Sequence, residues 1–246
     1  MKIVYIGTSS FACPALEILA RHPSHEIVAV FTQPDRPAGR RLELTPSPVK
    51  ELSMRLHLPV FQPESIKSPT VLEQVRYMHP DLIVVAAYGQ LLPQALLDIP
   101  KFGCMNIHGS LLPKYRGAAP VHWALLDGES KTGVTIMMVS DKLDSGGILA
   151  QEEITIRRRD NSQIIHDKLA DIGARLLVRT ISDFLAGKVA PKPQGASSTA
   201  YARKLTKADM LLDWGRTPLE LWLKIRAFAP SPGAYTFVTE GGSKKS

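Results

Sequence analysis

Short, almost uninterrupted apolar runs set the fold class of this chain. They are KIVYIG (2–7), EIVAVFT (26–32) and DLIVVAAY (81–88), and stretches with helical character separate them. A strand with one face in water alternates apolar and polar residues, whereas a strand covered on both faces is apolar throughout. The runs therefore predict an α/β fold with a doubly wound, mostly parallel sheet.

The rest of the chain continues this pattern. Further elements are predicted at CMNIH (104–108, strand), near 118–126 (helix), at 132–139 and 148–156 (strands) and at 161–187 (long amphipathic helix). Ser47-Pro48 and Ser68-Pro69 place a capping residue before a proline, so a helix is expected to begin at each pair. These elements assign 1–187 to one domain.

The composition changes after Gly187. Residues 188–207 are rich in Pro, Ala, Ser and Lys, which is typical of a linker. Thr217-Pro218-Leu219-Glu220 then fits a capping box that opens a short helix, followed by one predicted strand. One helix and one strand are too little for an independent core, so 208–246 are expected to be the beginning of a second domain.

Charge and cysteine usage narrow the class of protein. The formal net charge is +7, which is compatible with a polyanionic partner. The two cysteines lie far apart in the sequence, which favours a reducing compartment over a disulfide framework. MKIVYIG has the length of a buried strand rather than of a signal peptide or membrane span, so we expect a cytoplasmic protein.

The stretch NIHGSLLPKYRGAAP (106–120) contains the strongest candidate for a chemical site. Side chains two apart on a strand point the same way, so Asn106 and His108 should share one face at the carboxyl end of their strand, where open α/β sheets bind ligands. An amide donor and an imidazole suit an acyl group whose carbonyl carbon becomes tetrahedral.

A carboxylate is expected to complete this site. The turn DKLDSGG offers Asp141 and Asp144 at the end of the next predicted strand, which we expect to lie at the same kind of sheet edge. Asp144 is favoured because Ser-Gly-Gly follows it and lets backbone approach closely. No G-x-S-x-G nucleophile elbow occurs, so direct transfer to an incoming amine is the favoured mechanism.

The remaining histidines are interpreted mostly as structural. This applies to His22, His25, His57, His79 and His166. His122 stays open because it lies on the apolar helix directly after the motif. No cluster with metal-ligand spacing is apparent, so no metal is predicted.

Three segments together resemble the methionyl-tRNA formyltransferase family. They are NIHGSLLPKYRGAAP, GVTIMMVSDKLDSGGIL (133–149) and QPDRPAGRRLELTPSPVK (33–50). The first pattern is shared by the wider group of enzymes that use 10-formyltetrahydrofolate, so it indicates the formyl donor better than the acceptor. The third resembles a loop with which the family grips the acceptor end of initiator tRNA.

The resemblance implies a Rossmann-like formyltransferase domain, a linker and a barrel of the oligonucleotide-binding type, of which this chain has only the start. It implies that a cytoplasmic monomer formylates methionyl-initiator tRNA for translation initiation. The implied catalytic residues are Asn106, His108 and Asp144. The implied folate-binding residues are Ser110, Leu111, Leu112, Pro113, Ala86, Tyr88, Gly89 and Leu91. The basic residues expected to contact tRNA are Arg36, Arg40, Arg41, Lys114 and Arg116.

Three alternatives remain at this point. A nicotinamide enzyme is disfavoured because the first strand ends in IGTSSFA, with one glycine where G-x-G-x-x-G is needed. A formyltransferase for a nucleotide-sugar amine or for glycinamide ribonucleotide would share the same catalytic logic. A weakly active remnant that binds RNA or folate is the third.

Overall fold

Strands and helices alternate along most of the chain, as the apolar runs predict. A computed structural model describes residues 1–38, 43–240 and 243–245. The strands are β1 (Lys2–Gly7), β2 (Glu26–Phe31), β3 (Arg36–Ala38), β4 (Glu43–Thr45), β5 (Val60–Phe61), β6 (Leu82–Ala86), β7 (Cys104–His108), β8 (Lys131–Met138), β9 (Ile148–Thr155), β10 (Val238–Glu240) and β11 (Ser243–Lys245). The α-helices are α1 (Cys13–Ala20), α2 (Pro48–Arg55), α3 (Pro69–Met78), α4 (Gln94–Leu97), α5 (Pro120–Leu126), α6 (Ser162–Leu185) and α7 (Pro218–Phe228).

The central sheet is mostly parallel. Seven strands of the described part of the chain form it, in the order β5-β2-β1-β6-β7-β8-β9. The pairs from β5 to β7 are parallel, whereas β8 is antiparallel to both β7 and β9. The predicted α/β class is confirmed, and the change of direction at β8 decides how the site is assembled.

Helices cover both faces of the sheet, so the fold is doubly wound. On one face, α1 and α6 pack against the strands through Leu16, Leu19 and Leu169, all fully buried. On the other face, Val75 of α3 and Leu96 of α4 lie over β1, β2 and β6. Apolar side chains fill both layers, which is why the strands lack alternation.

The capping signals mark the helix starts correctly. Ser47 accepts a hydrogen bond from the Lys50 backbone nitrogen at 3.0 Å, and α2 begins at the following proline. Thr217 and Glu220 form the reciprocal capping box at the start of α7. Ser68 precedes α3 without a side-chain cap bond, so its predicted capping role is wrong and Pro69 supplies the start signal there.

One face of β7 is incompletely covered. Met105 and Ile107 belong to the core under α1 and α6, while Cys104 belongs to the opposite core. Asn106 and His108 therefore point to the α4 side. Because α4 is a single turn of four residues, it leaves space above this part of the sheet.

The C-terminal segment packs on this domain. Helix α7 contacts α5, and its Ala227 and Phe228 are fully buried in the core under α6. Beyond α7, β10 and β11 form an antiparallel hairpin, where one strand was predicted. Among the described residues, no helix combines the length and apolar character that crossing a membrane requires.

Candidate active site

Asn106 and His108 line one cavity of about 610 Å³ on the open face of β7. They lie two residues apart on the strand, and the structure confirms that both side chains face this space. His108 is 6% exposed, and Asn106 is partly buried. Asp144 lines the same cavity, so an amide, an imidazole and a carboxylate converge on it.

The two ring nitrogens of His108 have different surroundings. Nε2 lies 3.0 Å from the backbone oxygen of Tyr115, and Nδ1 lies 3.8 Å from Oδ1 of Asp144. A carbonyl oxygen can only accept a hydrogen bond, so Nε2 carries a proton. Nδ1 is then the nitrogen that can take up or release a proton beside the carboxylate.

Asp144 does not reach the site from the sheet edge that the sequence suggested. Since β8 is antiparallel to β7, Met138 at its carboxyl end pairs with Met105 at the amino end of β7. Asp144 does lie near His108, as expected, but the expected reason is wrong, because the two residues do not follow strand ends at one edge of the sheet. The loop 139–147 instead folds back over the sheet face.

Asp144 is held in an unfavourable backbone conformation. Its Oδ2 accepts a hydrogen bond from the backbone nitrogen of Gly117 at 2.8 Å. Its φ is +48°, a left-handed conformation that costs a non-glycine residue about 1 kcal/mol or more. A strained residue persists where its surroundings hold it from several sides, and such residues cluster at functional sites.

The turn after β7 is anchored by a network of charged and hydroxyl groups. Tyr115 has a φ of +57°, and its hydroxyl donates to Asp127 at 3.0 Å and to Glu129 at 3.1 Å. Burial and the two carboxylates raise the pKa of Tyr115, which keeps the hydroxyl protonated. Lys114 also pairs with Glu129 at 2.8 Å. The bonds of the Tyr115 hydroxyl to Asp127 and Glu129 fix the carbonyl that holds His108.

The Ser-Leu-Leu-Pro turn lies beside the cavity without lining it. Ser110 is fully buried and donates to the backbone oxygen of Lys114 at 2.7 Å. Thr135 of β8 donates to the Ser110 carbonyl at 2.6 Å and accepts from the Leu112 nitrogen at 3.1 Å. The contacts of Ser110 and Leu112 thus stabilise the turn itself, and none of the four residues predicted to bind folate here, Ser110–Pro113, lines the cavity.

The segment after β6 supplies a wall of the cavity. Tyr88, Gly89 and Leu91 line it, whereas Ala86 is fully buried in the core on the other face of the sheet. The predicted strand 81–88 ends early, at Ala86, because Ala87 has a φ of +45° and turns the chain. Burial raises the pKa of Tyr88 to about 12.

The basic residues predicted to meet tRNA have separate locations. Arg36 pairs with Glu64 at 2.9 Å on the exposed β3-β4 hairpin. The guanidinium of Arg116 is held by the side chain of Gln194, at 2.9 and 2.7 Å. Arg40 and Arg41 lie outside the described residues.

Some cavity residues carry no clear signal in the sequence. Phe11, His122, His166 and Tyr201 come from four separate segments, and all four line the cavity. Burial lowers the pKa of His122, and His166 lowers it further. A single histidine on an apolar helix does not reveal such a position, since long-range packing creates it. Within the ranges that the structure describes, no group of three or more His, Cys, Asp or Glu side chains could hold a metal ion.

Comparisons with known proteins agree on one family. Residues 1–181 match the family model described as formyl transferase, and residues 204–245 match the model for the formyl transferase C-terminal domain. A methionyl-tRNA formyltransferase of Geobacter sulfurreducens is 48% identical over 97% of this chain and 75% of its own length. The enzyme of that name from Bacillus subtilis is 46% identical over 96% of this chain and 74% of its own length.

Solved structures share the fold at lower identity. A sugar N-formyltransferase from Shewanella sp FDAARGOS_354 aligns with a TM-score of 0.75 at 20% identity, over 100% of this chain and 95% of that one. HypX from Aquifex aeolicus, in complex with tetrahydrofolic acid, aligns with a TM-score of 0.68 at 19% identity, over 99% of this chain and 36% of that one.

Proposed function

The chain belongs to the formyl transferase family, and from this premise we propose that it transfers the formyl group of 10-formyltetrahydrofolate to the α-amino group of methionyl-initiator tRNA. The observation that carries the proposal is the convergence of Asn106, His108 and Asp144 on one cavity. The choice of acceptor follows the relatives named methionyl-tRNA formyltransferase, which match nearly the whole chain. This activity would serve translation initiation in the cytoplasm.

Asn106 is proposed to stabilise the formyl oxygen. When the amine nitrogen bonds to the formyl carbon, that carbon becomes tetrahedral and its oxygen gains negative charge. An amide N–H fixed on a strand can donate to this oxygen with little reorganisation. The position of Asn106 at the cavity wall supports this role.

His108 and Asp144 are proposed to manage the proton. The amine loses one proton as the new C–N bond forms, and the folate nitrogen gains one as the old C–N bond breaks. Nδ1 of His108 beside Asp144 can accept the first proton and return it, because Nε2 is occupied by the Tyr115 carbonyl. The carboxylate stabilises the imidazolium during this exchange.

The cavity suits a folate-type formyl donor. Its walls include apolar residues such as Leu91, Leu92 and Val139 beside polar residues such as Gln90 and Asn106. Flat heterocycles bind between apolar walls, and a few backbone groups fix their orientation. We propose that Tyr88, Gly89 and Leu91 contact the folate. The Ser110–Pro113 turn is proposed to stabilise the position of His108.

Exposed positive charge supports a tRNA partner. The chain has a net charge of +7 and a pI of about 9.4. The Arg36 side chain is 63% exposed and that of Lys114 is 43% exposed, so both can exchange their carboxylate partners for phosphate. Arg40 and Arg41 are proposed to act with them.

Formylation of methionyl-initiator tRNA by this chain tests the proposal, with 10-formyltetrahydrofolate as donor and His108→Ala as control. We expect transfer by the parent chain and its loss in the variant. Transfer to glycinamide ribonucleotide or to a nucleotide-sugar amine, with none to tRNA, would overturn the acceptor. Equal transfer by both proteins would overturn the role of His108.

A further inference from the structure

The linker residue Gln194 joins the loop that carries Asp144 to the turn that carries Arg116. Its Nε2 donates to the backbone oxygens of Asp144, at 2.9 Å, and of Gly146, at 2.8 Å. Its Oε1 accepts from Nε of Arg116 at 2.9 Å and from Nη2 at 2.7 Å. One amide side chain thus uses both its donor and its acceptor groups at the site.

The segment after Gln194 is fixed alongside the turn that follows β7. Ala202 forms a parallel bridge with Gly117, through a bond from the Ala202 nitrogen to the Arg116 oxygen at 2.8 Å. Thr199 accepts a hydrogen bond from the Tyr115 nitrogen at 2.8 Å. On the other side of Gln194, Lys192 pairs with the start of β9 through two backbone bonds of 2.8 Å. The linker therefore holds Gln194 in place on both sides.

Asp144 needs such support because its backbone conformation is unfavourable. Its loop crosses the sheet face, and its φ is +48°. The Gly117 nitrogen holds the carboxylate, while Gln194 holds the carbonyl of the same residue. Strained residues persist only when surrounding contacts over-determine them.

We propose that Gln194 is a positioning residue, which keeps the Asp144 carboxylate beside Nδ1 of His108 and makes the linker part of the catalytic apparatus. The proposal rests on the proposed function, since it acts through the role assigned to Asp144. If Gln194 acts in this way, turnover is controlled by a residue 50 positions away from Asp144, in a segment with linker composition.

Two substitutions distinguish the N–H donors of Gln194 from its oxygen acceptor. Gln194→Met keeps the approximate length of the side chain and removes the donors and the acceptor. Gln194→Glu keeps an acceptor for Arg116 and removes the donors to Asp144 and Gly146. We expect kcat to fall about 10- to 100-fold in both variants, with a KM for the folate donor within about threefold of the parent value, because displacing a catalytic group by about 1 Å has an effect of this order.

The matched controls are Gln163→Met and Gln163→Glu. Gln163 lies on the exposed surface of α6 and bonds Asp167 at 2.7 Å, so the same changes there should leave kcat unaltered. A parent-like kcat in Gln194→Glu would show that the pairing with Arg116 is what matters, and would overturn the proposal. A rise in KM with unchanged kcat would overturn it as well.

A double-mutant cycle distinguishes positioning from general support of the fold. In an Asp144→Asn background, Gln194→Met should lower kcat less than twofold further, because the group that it positions is already disabled. A further fall in kcat as large as in the parent background would overturn the proposal. If Asp144→Asn itself keeps the parent kcat, the proposed catalytic role of Asp144 fails, independently of how Gln194 behaves in the parent background.

Discussion

Replacing Gly146 with alanine should separate the Asp144 carboxylate from His108 without unfolding the protein. An added Cβ would lie 1.8 Å from the Met138 oxygen and 2.8 Å from the Met138 carbonyl carbon. A Cβ atom in a protein essentially never lies within 3.0 Å of a nonbonded heavy atom, so the loop has to move by more than 1 Å. Both of these Met138 atoms belong to the backbone of β8, which cannot rotate out of the way.

The movement should reach Asp144, two residues earlier. Its carboxylate depends on a 2.8 Å bond from Gly117, and its carbonyl on a 2.9 Å bond from Gln194. A displacement of more than 1 Å breaks both bonds, because contacts of 3.6 Å and longer are no longer hydrogen bonds. Misplacing a catalytic group by this distance lowers the rate about 10²-fold. The strain should lower the free energy of unfolding by about 1–3 kcal/mol.

Single-turnover formyl transfer measures the effect, and urea unfolding measures the stability. The matched control is Gly195→Ala, since a Cβ at Gly195 meets no heavy atom within 4 Å. We expect parent-like transfer in the control and a loss of about 10²-fold in Gly146→Ala. A folded Gly146→Ala protein with transfer within twofold of the parent would refute the reasoning that the loop positions Asp144.

Three further predictions concern the amide of Asn106, the basic loop and the half-buried His122. Asn106→Ala should lower kcat about 10²- to 10³-fold, and near-normal turnover in a folded variant would remove its role as oxyanion donor. Arg40→Ala combined with Arg41→Ala should weaken tRNA use and reduce its salt dependence while folate binding is retained, and an equal loss of folate binding would point to a folding defect instead. Burial, with a smaller effect from His166, lowers the pKa of His122, so the unfolded chain binds the proton more readily and stability falls as the pH drops below about 6.5. His122→Gln should reduce this loss of stability, measured by urea unfolding between pH 7.5 and 5.5. An unchanged loss would show that His122 is not its source.

The sequence predicts most of the architecture because its signals are local. Continuous apolar runs identify β1, β2 and β6, and Ser47-Pro48 and Thr217-Pro218 mark helix starts through bonds to residues three positions later. The common orientation of Asn106 and His108 follows from the two-residue repeat of a strand. Each of these signals depends on neighbours within a few residues.

The short and irregular elements were not predicted from the same signals. Strand β5 has two residues and helix α4 has four, which is too short for a recognisable period. Yet the shortness of α4 leaves the face of β7 open and so creates the cavity. The hairpin of β3 and β4 likewise had no clear alternation in the sequence.

Local patterns in the chain predict most strands of the sheet, most helix starts, and the amide and imidazole on one strand face. They do not predict that β8 runs antiparallel, that the Asp144 loop returns over the sheet, that the Ser110–Pro113 turn lies outside the cavity, or that Gln194 holds the loop. The difference lies in the range of the interactions. Strand alternation and helix capping act between residues a few positions apart, whereas the pairing of β8 with β7 and the contacts of Gln194 join residues 27 to 78 positions apart, which no local pattern encodes.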